Sequence, residues 1–291
     1  METRVLKYFL EVAKQENISK AAMLLHVSQP ALSKQIKELE KELNVTLFIR
    51  NNKSIHLTEE GYYLQEKAKE IIELNDKIIN DFYEGFESLN GTINIGMCES
   101  NASKWISEKI LDFNKKYPKI KYNIYSANAD LIKEKIDRGL IDIGILVGPS
   151  FDFSTYESLN IPFKDHWGII VPKSNKLYNK SFIIKEDLIN EKLILSKRSL
   201  NISDIKSWLG NKFKEENIIA TYNLIQNAIY LVENNMGIAF AVDGAVSLYN
   251  DSIKWIPLKP DINLSNVIIW KRNAQKSASI NKFIEYICNN L

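Results

Sequence analysis

The stretch that decides the fold is SKAAMLLHVSQPALSKQIKELE, residues 19 to 40. It contains two helical segments that are separated by three residues. Ser19 is placed to cap the first segment, and the pair Ala21-Ala22 permits close approach of another helix. Ser28 is the N-cap candidate of the second segment, and Pro30 suits its first turn because the missing N–H makes no helical hydrogen bond there. The pattern predicts a short helix, a tight turn and a second helix.

The second helix is expected to run to about Leu43 and to have two different faces. The apolar residues predicted to form its buried stripe are Ala31, Ile36, Leu39 and Leu43. The residues left on the outward face, which is short, polar and basic, are Gln29, Ser33, Lys34 and Lys37. Two helices in this arrangement form a helix-turn-helix unit, whose second helix lies in the DNA major groove. A pair of surface helices in any helical domain is the alternative interpretation.

Residues 45–58, VTLFIRNNKSIHLT, predict a β-hairpin after this helix pair. Apolar and polar residues alternate on either side of Asn51-Asn52, a dipeptide that favours a turn. Arg50, Lys53 and His56 could then reach phosphate groups as part of a β-hairpin wing. For His56 the alternative is a wing residue with no special role.

Charge is segregated along the first part of the chain. Residues 1–57 contain nine Lys or Arg and six Asp or Glu, whereas residues 58–88 contain three and nine. Two windows, residues 17–37 and 43–57, contain no acid at all. Because a clustered basic surface is the electrostatic footprint of nucleic-acid binding, these two windows could face one polyanion.

A long helix is predicted from Thr58, with Glu59 and Glu60 in its first turn, where the helix dipole favours acids. Six positions follow at alternating spacings of four and three residues: Leu64, Ala68, Ile71, Asn75, Ile78 and Phe82. This heptad seam predicts pairing between the helices of two subunits, in which Asn75 could fix the register. Packing of the helix on its own chain is the alternative.

After Asn90-Gly91 the predicted strands and helices alternate, which indicates an α/β body with a largely parallel sheet. The pattern recurs, so two similar α/β halves are expected, and the last strand and helix can return to the first half. The expected fold class is a multidomain α+β chain. The expected divisions are a winged helix-turn-helix domain in 1–58, a linker and dimerisation helix in 59–90, and the α/β body in 91–291, with halves of about 91–161 plus 266–291 and about 162–265.

Composition excludes several classes of protein. Hydrophobic residues at 45% and charged residues at 25% are typical of a globular protein, and the longest apolar run, residues 236–242, is far shorter than the roughly 20 residues that span a bilayer. Charged residues interrupt the first 14 positions, so we expect no secretory signal and a cytoplasmic location. Two cysteines and three scattered histidines predict neither a disulfide framework nor a metal site. The glycine-rich nucleotide loops and the nucleophile motifs of common enzymes are missing, so we expect no catalysis and no cofactor.

The ordered set of N-terminal motifs resembles the LysR-type transcriptional regulators. The matching residues are Phe9, Ala21-Ala22-Met23-Leu24-Leu25, Ser28-Gln29-Pro30-Ala31-Leu32-Ser33, Leu39-Glu40, Leu47-Phe48-Ile49-Arg50 and Leu57-Thr58-Glu59-Glu60-Gly61. The body matches more loosely, through GLIDIGILVG and LVENNMGIAFAVDGAV. In the second of these stretches the family often has proline where Val242-Asp243 stands. The resemblance extends over essentially the whole chain.

The resemblance implies a DNA-binding homodimer, or a dimer of dimers, that acts on double-stranded promoter DNA and on RNA polymerase. It also implies a body resembling periplasmic binding proteins, with a small-molecule inducer held between its two halves. The DNA-binding residues that it implies are Ser19, Ser28, Gln29, Pro30, Ser33, Lys34, Lys37, Arg50 and Lys53. Among these, Gln29 and Ser33 can read base edges, whereas the lysines and Arg50 mainly neutralise phosphate. A regulator that binds DNA without any inducer is the alternative function.

Candidate inducer-binding residues follow from the rule that open α/β sheets bind ligands at the carboxyl ends of strands, near helix N-termini. They are Glu99, Ser100, Asn101, Asn128, Val147, Gly148, Ser196, Asn201, Gln226 and Asp243. For each serine and asparagine an ordinary helix cap is the alternative role. Glu99 and Asp243 are acidic while Lys197 and Arg198 are basic, so an amine, an amino acid and an organic anion all remain open as the inducer.

Overall fold

Two units follow each other along the chain in the computed structural model, Met1–Gly85 and Phe86–Leu291. The structure describes residues 1–50, 55–84, 89–148, 154–197, 203–210, 215–246 and 252–291. Each unit has its own hydrophobic core.

The first unit consists of four helices and a two-stranded hairpin. Its elements are α1 (Thr3–Gln15), α2 (Ile18–Leu24), α3 (Gln29–Leu43), β1 (Phe48–Arg50), β2 (Ile55–Leu57) and α4 (Glu59–Glu84). The antiparallel hairpin pairs Phe48 with Leu57 and Arg50 with Ile55. The end of α3 and the presence of the hairpin agree with the sequence-based predictions.

The caps of α2 and α3 set the length of the turn between them. The Ser28 hydroxyl accepts a hydrogen bond from the Ala31 N–H at 3.4 Å, as predicted for the N-cap of α3. Helix α2 begins earlier than predicted, because the Asn17 side chain accepts from the Lys20 N–H at 2.9 Å. Asn is as good an N-cap as Ser, so the prediction of Ser19 as the cap is wrong, and Ser19 lies exposed in the first turn.

The buried stripe of α3 consists of Leu32, Ile36 and Leu39. Ala31 and Leu43, which the sequence pattern assigned to the stripe, are exposed. Leu32 precedes Ile36 by one helical turn, so both lie on one face, and Leu32 buries far more apolar surface there than an alanine would.

Helix α4 has a buried first part and an exposed second part. Leu64 and Ala68 belong to the same buried cluster as Phe9 of α1. These two positions of the heptad seam therefore pack on their own chain, which was the alternative to pairing between subunits. Further along, Ile71 is 40% exposed and Ile78 is 47% exposed. The seam that remains for another helix therefore begins at about Ile71, one turn beyond the core.

The start of α4 is fixed to the residues that precede the hairpin. The Thr58 hydroxyl donates to the Thr46 carbonyl at 2.7 Å and accepts from the Gly61 N–H at 3.0 Å. A Cβ on Gly61 would lie 2.3 Å from the Leu47 carbonyl oxygen. Position 61 therefore requires glycine because backbone passes directly beside it.

The second unit is an α/β body built on one continuous sheet. Its strands are β3 (Gly91–Met97), β4 (Ile120–Ser126), β5 (Ile143–Gly148), β6 (Tyr156–Pro172), β7 (Leu193–Ser196), β8 (Ile218–Tyr222), β9 (Ile238–Val242), β10 (Ile253–Pro257) and β11 (Asn263–Lys271). Its helices are α5 (Asn101–Lys116), α6 (Ala129–Asp137), α7 (Ser203–Leu209), α8 (Ile225–Glu233) and α9 (Ala278–Cys288). The strand order is β4-β3-β5-β11-β6-β9-β7-β8, with β10 also paired to β6.

The sheet is mixed rather than largely parallel. The group β3, β4 and β5 is parallel, as is the group β7, β8 and β9, but β6 and β11 run antiparallel to their neighbours. Strand β6 joins the two groups: residues 156–161 and 164–166 pair with β11, and residues 167–170 pair with β9. Strand β11 and α9 return to the first group, as predicted. Strands β8 and β10 were not identified from the sequence, and Lys185-Glu186-Asp187, which resembles the start of a helix, lies in one short 3-10 turn, Lys185–Leu188.

A cluster of polar groups, which we call the junction, lies where β6 and β11 pass between the two groups of strands. The fully buried Asp165 carboxylate accepts from the Asn101 N–H at 2.9 Å and from the Asn266 amide at 2.6 Å. Beside it, Asp243 accepts from the backbone N–H groups of His166 and Gly244, at 3.0 and 2.9 Å. Burial raises the pKa of Asp165, the two hydrogen bonds oppose this, and the nearby Asp243 carboxyl raises it further.

We expect Gly61→Ala to lower the free energy of unfolding of the first unit by about 1 to 3 kcal/mol, because the methyl group forces the Leu47 carbonyl away. All five tryptophans lie in the second unit, so helical circular dichroism combined with tryptophan fluorescence in urea separates the two transitions. The exposed Glu66→Ala serves as the control and should change the first transition by less than about 0.5 kcal/mol. Equal midpoints for both variants would contradict the proposed close contact.

We expect part of the pH dependence of stability to come from Asp165. Its pKa in the folded state is above the ordinary 3.8, so the folded state binds the proton more tightly and stability falls as pH rises from about 3.8 through the raised pKa. Asp165→Asn has no proton to lose, so the difference in melting midpoint between the variant and the wild type should grow in the variant's favour over this window. Parallel melting profiles of the two proteins between pH 4 and about 7 would refute this.

Candidate functional site

The outward face of α3 is the first candidate site. Gln29, Pro30, Lys34 and Lys37 are exposed and Ser33 is half-buried, and together they line an open groove along the helix. Lys34 lies 3.8 Å from Glu38, an exposed pair that water screens strongly. Hydroxyl, amide and ammonium groups at a helix N-terminus can bind phosphate oxygens and base edges.

The helix pair and the hairpin hold this face in place. Ala21 and Ala22 are buried and bring α2 close to its neighbours. His26 adopts a left-handed conformation with φ of 54°, which closes the turn. At the far end of α3, the Glu40 carboxylate accepts from the N–H groups of Leu47 and Phe48 at 2.9 and 3.2 Å. This contact explains why the sequence carries Leu39-Glu40 and Leu47-Phe48 as linked motifs.

The hairpin is described only in part. The backbone of Arg50 lies in β1, whereas its side chain and the segment 51–54 that contains Lys53 lie outside the described residues. His56 Nδ1 lies 3.5 Å from the Glu16 carboxylate, and about half of its side chain is exposed. His56 thus contacts an acid of its own chain.

The second candidate site is a cavity of about 120 Å³ in the α/β body. Five predicted residues line it: Glu99, Asn128, Val147, Gly148 and Ser196. They lie at the carboxyl ends of β3, β4, β5 and β7, so strands of both parallel groups contribute. The lining also includes Lys197 and an apolar surface with Trp167, Tyr222, Val242 and Leu264. We call this cavity the cleft.

Four predicted residues do not line the cleft. Ser100 is buried and its hydroxyl turns back to the Cys98 carbonyl, and Asn101 gives its N–H to Asp165 in the junction. Asp243 belongs to the junction as well, and the Gln226 amide lies 3.5 Å from the Tyr230 hydroxyl one turn along α8. Each of these groups makes its hydrogen bond to another group of the protein. Asn201 lies outside the described residues.

Glu99 is the acidic side chain of the cleft. Its carboxylate accepts from the Ile225 N–H at the start of α8, at 2.9 Å. Burial raises the pKa of Glu99, and the hydrogen bond from Ile225 partly opposes the rise. The neighbouring Tyr222 hydroxyl donates to the Phe240 carbonyl, and burial raises the pKa of Tyr222 so that it stays neutral.

Sequence reasoning missed the aromatic lining of the cleft. Tyr222 ends β8, and the rule of strand ends would have found it if that strand had been recognised. Trp167 lies within β6, and no sequence signal marks it because its position depends on how β6 passes from one group of strands to the other.

The part of the chain that the structure describes lacks two features. None of the helices there is long and apolar enough to cross a membrane. No group of three or more His, Cys, Asp or Glu side chains there has the arrangement to hold a metal ion.

Both units of the chain match models of known protein families. Residues 3–62 match the family described as bacterial regulatory helix-turn-helix protein, lysR family, and residues 86–291 match the LysR substrate binding domain. The transcriptional regulator YtlI of Bacillus subtilis (strain 168) is 30% identical over 89% of this chain and 83% of its own length. The dual regulator GltC of the same organism is 28% identical over 99% of this chain and 96% of its own.

Solved structures share the fold at lower identity. The crystal structure of CbnR, a LysR family regulator, has a TM-score of 0.76 at 20% identity and covers 99% of both chains. Full-length CbnR in complex with its target DNA has a TM-score of 0.74 at 21% identity over the whole of both chains. The family consists of transcriptional regulators rather than enzymes. With a helix-turn-helix unit and a cleft-bearing substrate domain matched over nearly its full length, the chain belongs to the LysR-type transcriptional regulators, which bind DNA and carry an effector-binding domain.

Proposed function

We propose that α3 enters the major groove of promoter DNA with its N-terminal turn directed at the base edges. Gln29 and Ser33 read bases, while Lys34 and Lys37 neutralise phosphates together with Arg50 and Lys53 of the wing. The observation that carries this proposal is the exposed polar face next to the Ser28 cap. The relative CbnR, of similar fold, was crystallised with its target DNA, which supports the same use of this unit.

We also propose that α4 pairs with the same helix of a second subunit. The apolar residues exposed on its second part are Ile71, Leu74, Ile78 and Ile79. Exposed apolar rows on one helix are typical of a subunit interface, and Asn75 within this row would fix the register. Phe82 extends the row by one turn and is 71% exposed. Leu64 and Ala68 would support the interface from the core behind it rather than contact the partner.

The regulator responds to a small molecule in the cleft, and ligand binding there changes its affinity for DNA or the bend that it imposes. Because the cleft is lined from both parallel groups of strands, a ligand would contact both halves of the body at once. Two dimers then assemble on one promoter and contact RNA polymerase in the cytoplasm, where promoter DNA is found. The test is fluorescence anisotropy of the full chain with DNA selected from a randomised pool, at several salt concentrations, with and without metabolites. An absence of selected sequences would refute the proposed readout.

We expect Gln29→Ala and Lys37→Ala to affect DNA binding differently. Loss of the Gln29 amide should cost about 1 to 3 kcal/mol at one base pair and relax the preference there. Loss of the Lys37 ammonium should weaken binding to every sequence alike and reduce the slope of log affinity against log salt by about 1. Each variant is the control of the other, and equal effects of Gln29→Ala at every base pair would remove this residue from the readout.

We expect Ile78→Asp to weaken subunit association at least about tenfold, because it puts a charge into an apolar interface and removes a buried side chain from both subunits. Sedimentation equilibrium of the full chain measures the dissociation constant. Lys69→Asp introduces the same side chain on the opposite face of α4 and should leave the constant unchanged. Association that is equally strong in both variants would show that the dimer is held elsewhere.

A further inference from the structure

The cleft contains a carboxylate, that of Glu99, for which the described part of the chain supplies no counter-ion. Glu99 is half-buried and accepts one hydrogen bond, from the Ile225 N–H. Its environment raises the energy of the charged form, and no cationic group among the described residues offsets this burial. A half-buried carboxylate that faces a cavity without a counter-ion is stabilised by a cation that enters the cavity.

At three helices that follow strands of the cleft, an N–H group of the first turn is bonded to an oxygen atom of the protein. The Asn101 N–H at the start of α5 bonds to Asp165, and the Leu131 N–H of α6 bonds to the Asn128 side chain at 3.0 Å. The Ile225 N–H of α8 bonds to Glu99. These N–H groups are the usual anion-binding groups of an open α/β sheet. A ligand carboxylate that approached α8 would have to displace Glu99 and would meet a like charge.

The rest of the lining suits an apolar body with a positive end. Trp167, Val242 and Leu264 form an apolar surface, and the faces of Trp167 and Tyr222 attract cations. Lys197, an exposed residue of the lining, is the cation that the described lining offers. Because Lys197 is exposed, we expect it to meet a negative group near solvent rather than a buried one.

We propose that the cleft binds an effector through an ammonium group that meets the Glu99 carboxylate, so that the effector is a small primary amine or amino acid with an apolar body. This inference rests on the proposed regulation through the cleft and specifies its ligand class. A simple amine uses Glu99 alone, whereas an amino acid also directs its carboxylate to Lys197.

The test compares three compounds with similar carbon chains: pentylamine, norleucine and hexanoate. Their binding to the full chain is measured by calorimetry and by the shift of the melting midpoint. We expect pentylamine or norleucine to bind and hexanoate not to bind. Binding of norleucine that falls in Lys197→Gln identifies the amino-acid form, and binding of pentylamine that is unchanged in Lys197→Gln identifies the amine form. Failure of both ammonium compounds to bind, or tighter binding of hexanoate, overturns the proposal.

Variants of Glu99 test the contact itself. Glu99→Gln keeps an oxygen acceptor for the Ile225 N–H but removes the charge, so the affinity for the ammonium compound should fall about tenfold or more. Glu99→Asp keeps the charge and should keep the preference for ammonium over carboxylate. The exposed Glu108→Gln removes an equal charge from α5 and should change nothing. Unchanged affinity in Glu99→Gln, with circular dichroism like that of the wild type, also overturns the proposal.

The outcome for the ligand class is separate from the outcome for the proposed function. If hexanoate alters the binding of selected DNA while the ammonium compounds do not, regulation through the cleft stands and the ligand class is wrong. If the wild-type chain selects no DNA sequence, the proposed DNA readout fails whichever compound the cleft binds.

Discussion

Strand β6 pairs with two groups of strands at once, because its first residues pair with β11 and its last residues pair with β9 and β10. A strand that belongs to both groups needs a point where its pairing changes from one group to the other while its backbone N–H and C=O groups stay hydrogen-bonded. The register of β11 shifts between Ser265 and Asn266 at this place. The buried Asp165 lies there and accepts hydrogen bonds from Asn101 and Asn266, which tie a helix and a strand to the crossing point. The cleft exists because this crossing brings strand ends of both groups face to face.

Polar groups buried near the crossing divide into two kinds. The two carboxylates of the junction accept hydrogen bonds from backbone and amide groups, so they fix the relative positions of α5, β6 and the turn after β9. Gly244 allows this turn to lie directly on the start of α5, where a Cβ would overlap the Asn101 nitrogen. Glu99, in contrast, is only partly satisfied and faces the cavity. The hydrogen-bonded junction therefore lies near the Glu99 carboxylate, which can accept further hydrogen bonds from a ligand.

Local signals in the sequence predicted the local structure well. The Ser28 cap and the alternating residues on either side of Asn51-Asn52 each act within a few positions, and they correctly predicted the start of α3 and the pairing of β1 with β2. The error at Ser19 arose because Asn17 competes with it as a cap, and the sequence does not rank the two. Positions that depend on distant parts of the chain were less predictable. Because Asp243 follows a strand, the sequence predicted it as a cleft residue. In the structure it instead accepts a hydrogen bond from the His166 N–H of β6 and lies in the junction.

The hydrogen bonds from Leu47 and Phe48 to Glu40 join the end of α3 directly to the first strand of the hairpin. Because two N–H groups share one carboxylate, the helix and β1 cannot slide or tilt independently without leaving a buried group unpaired. If α3 enters the major groove as proposed, α3 and β1 approach DNA as one rigid body. DNA contacts made from α3 and from β1 would then keep a constant separation along the duplex. An operator with an inserted base pair between those contacts would have to deform, since Glu40 holds α3 and the start of β1 together.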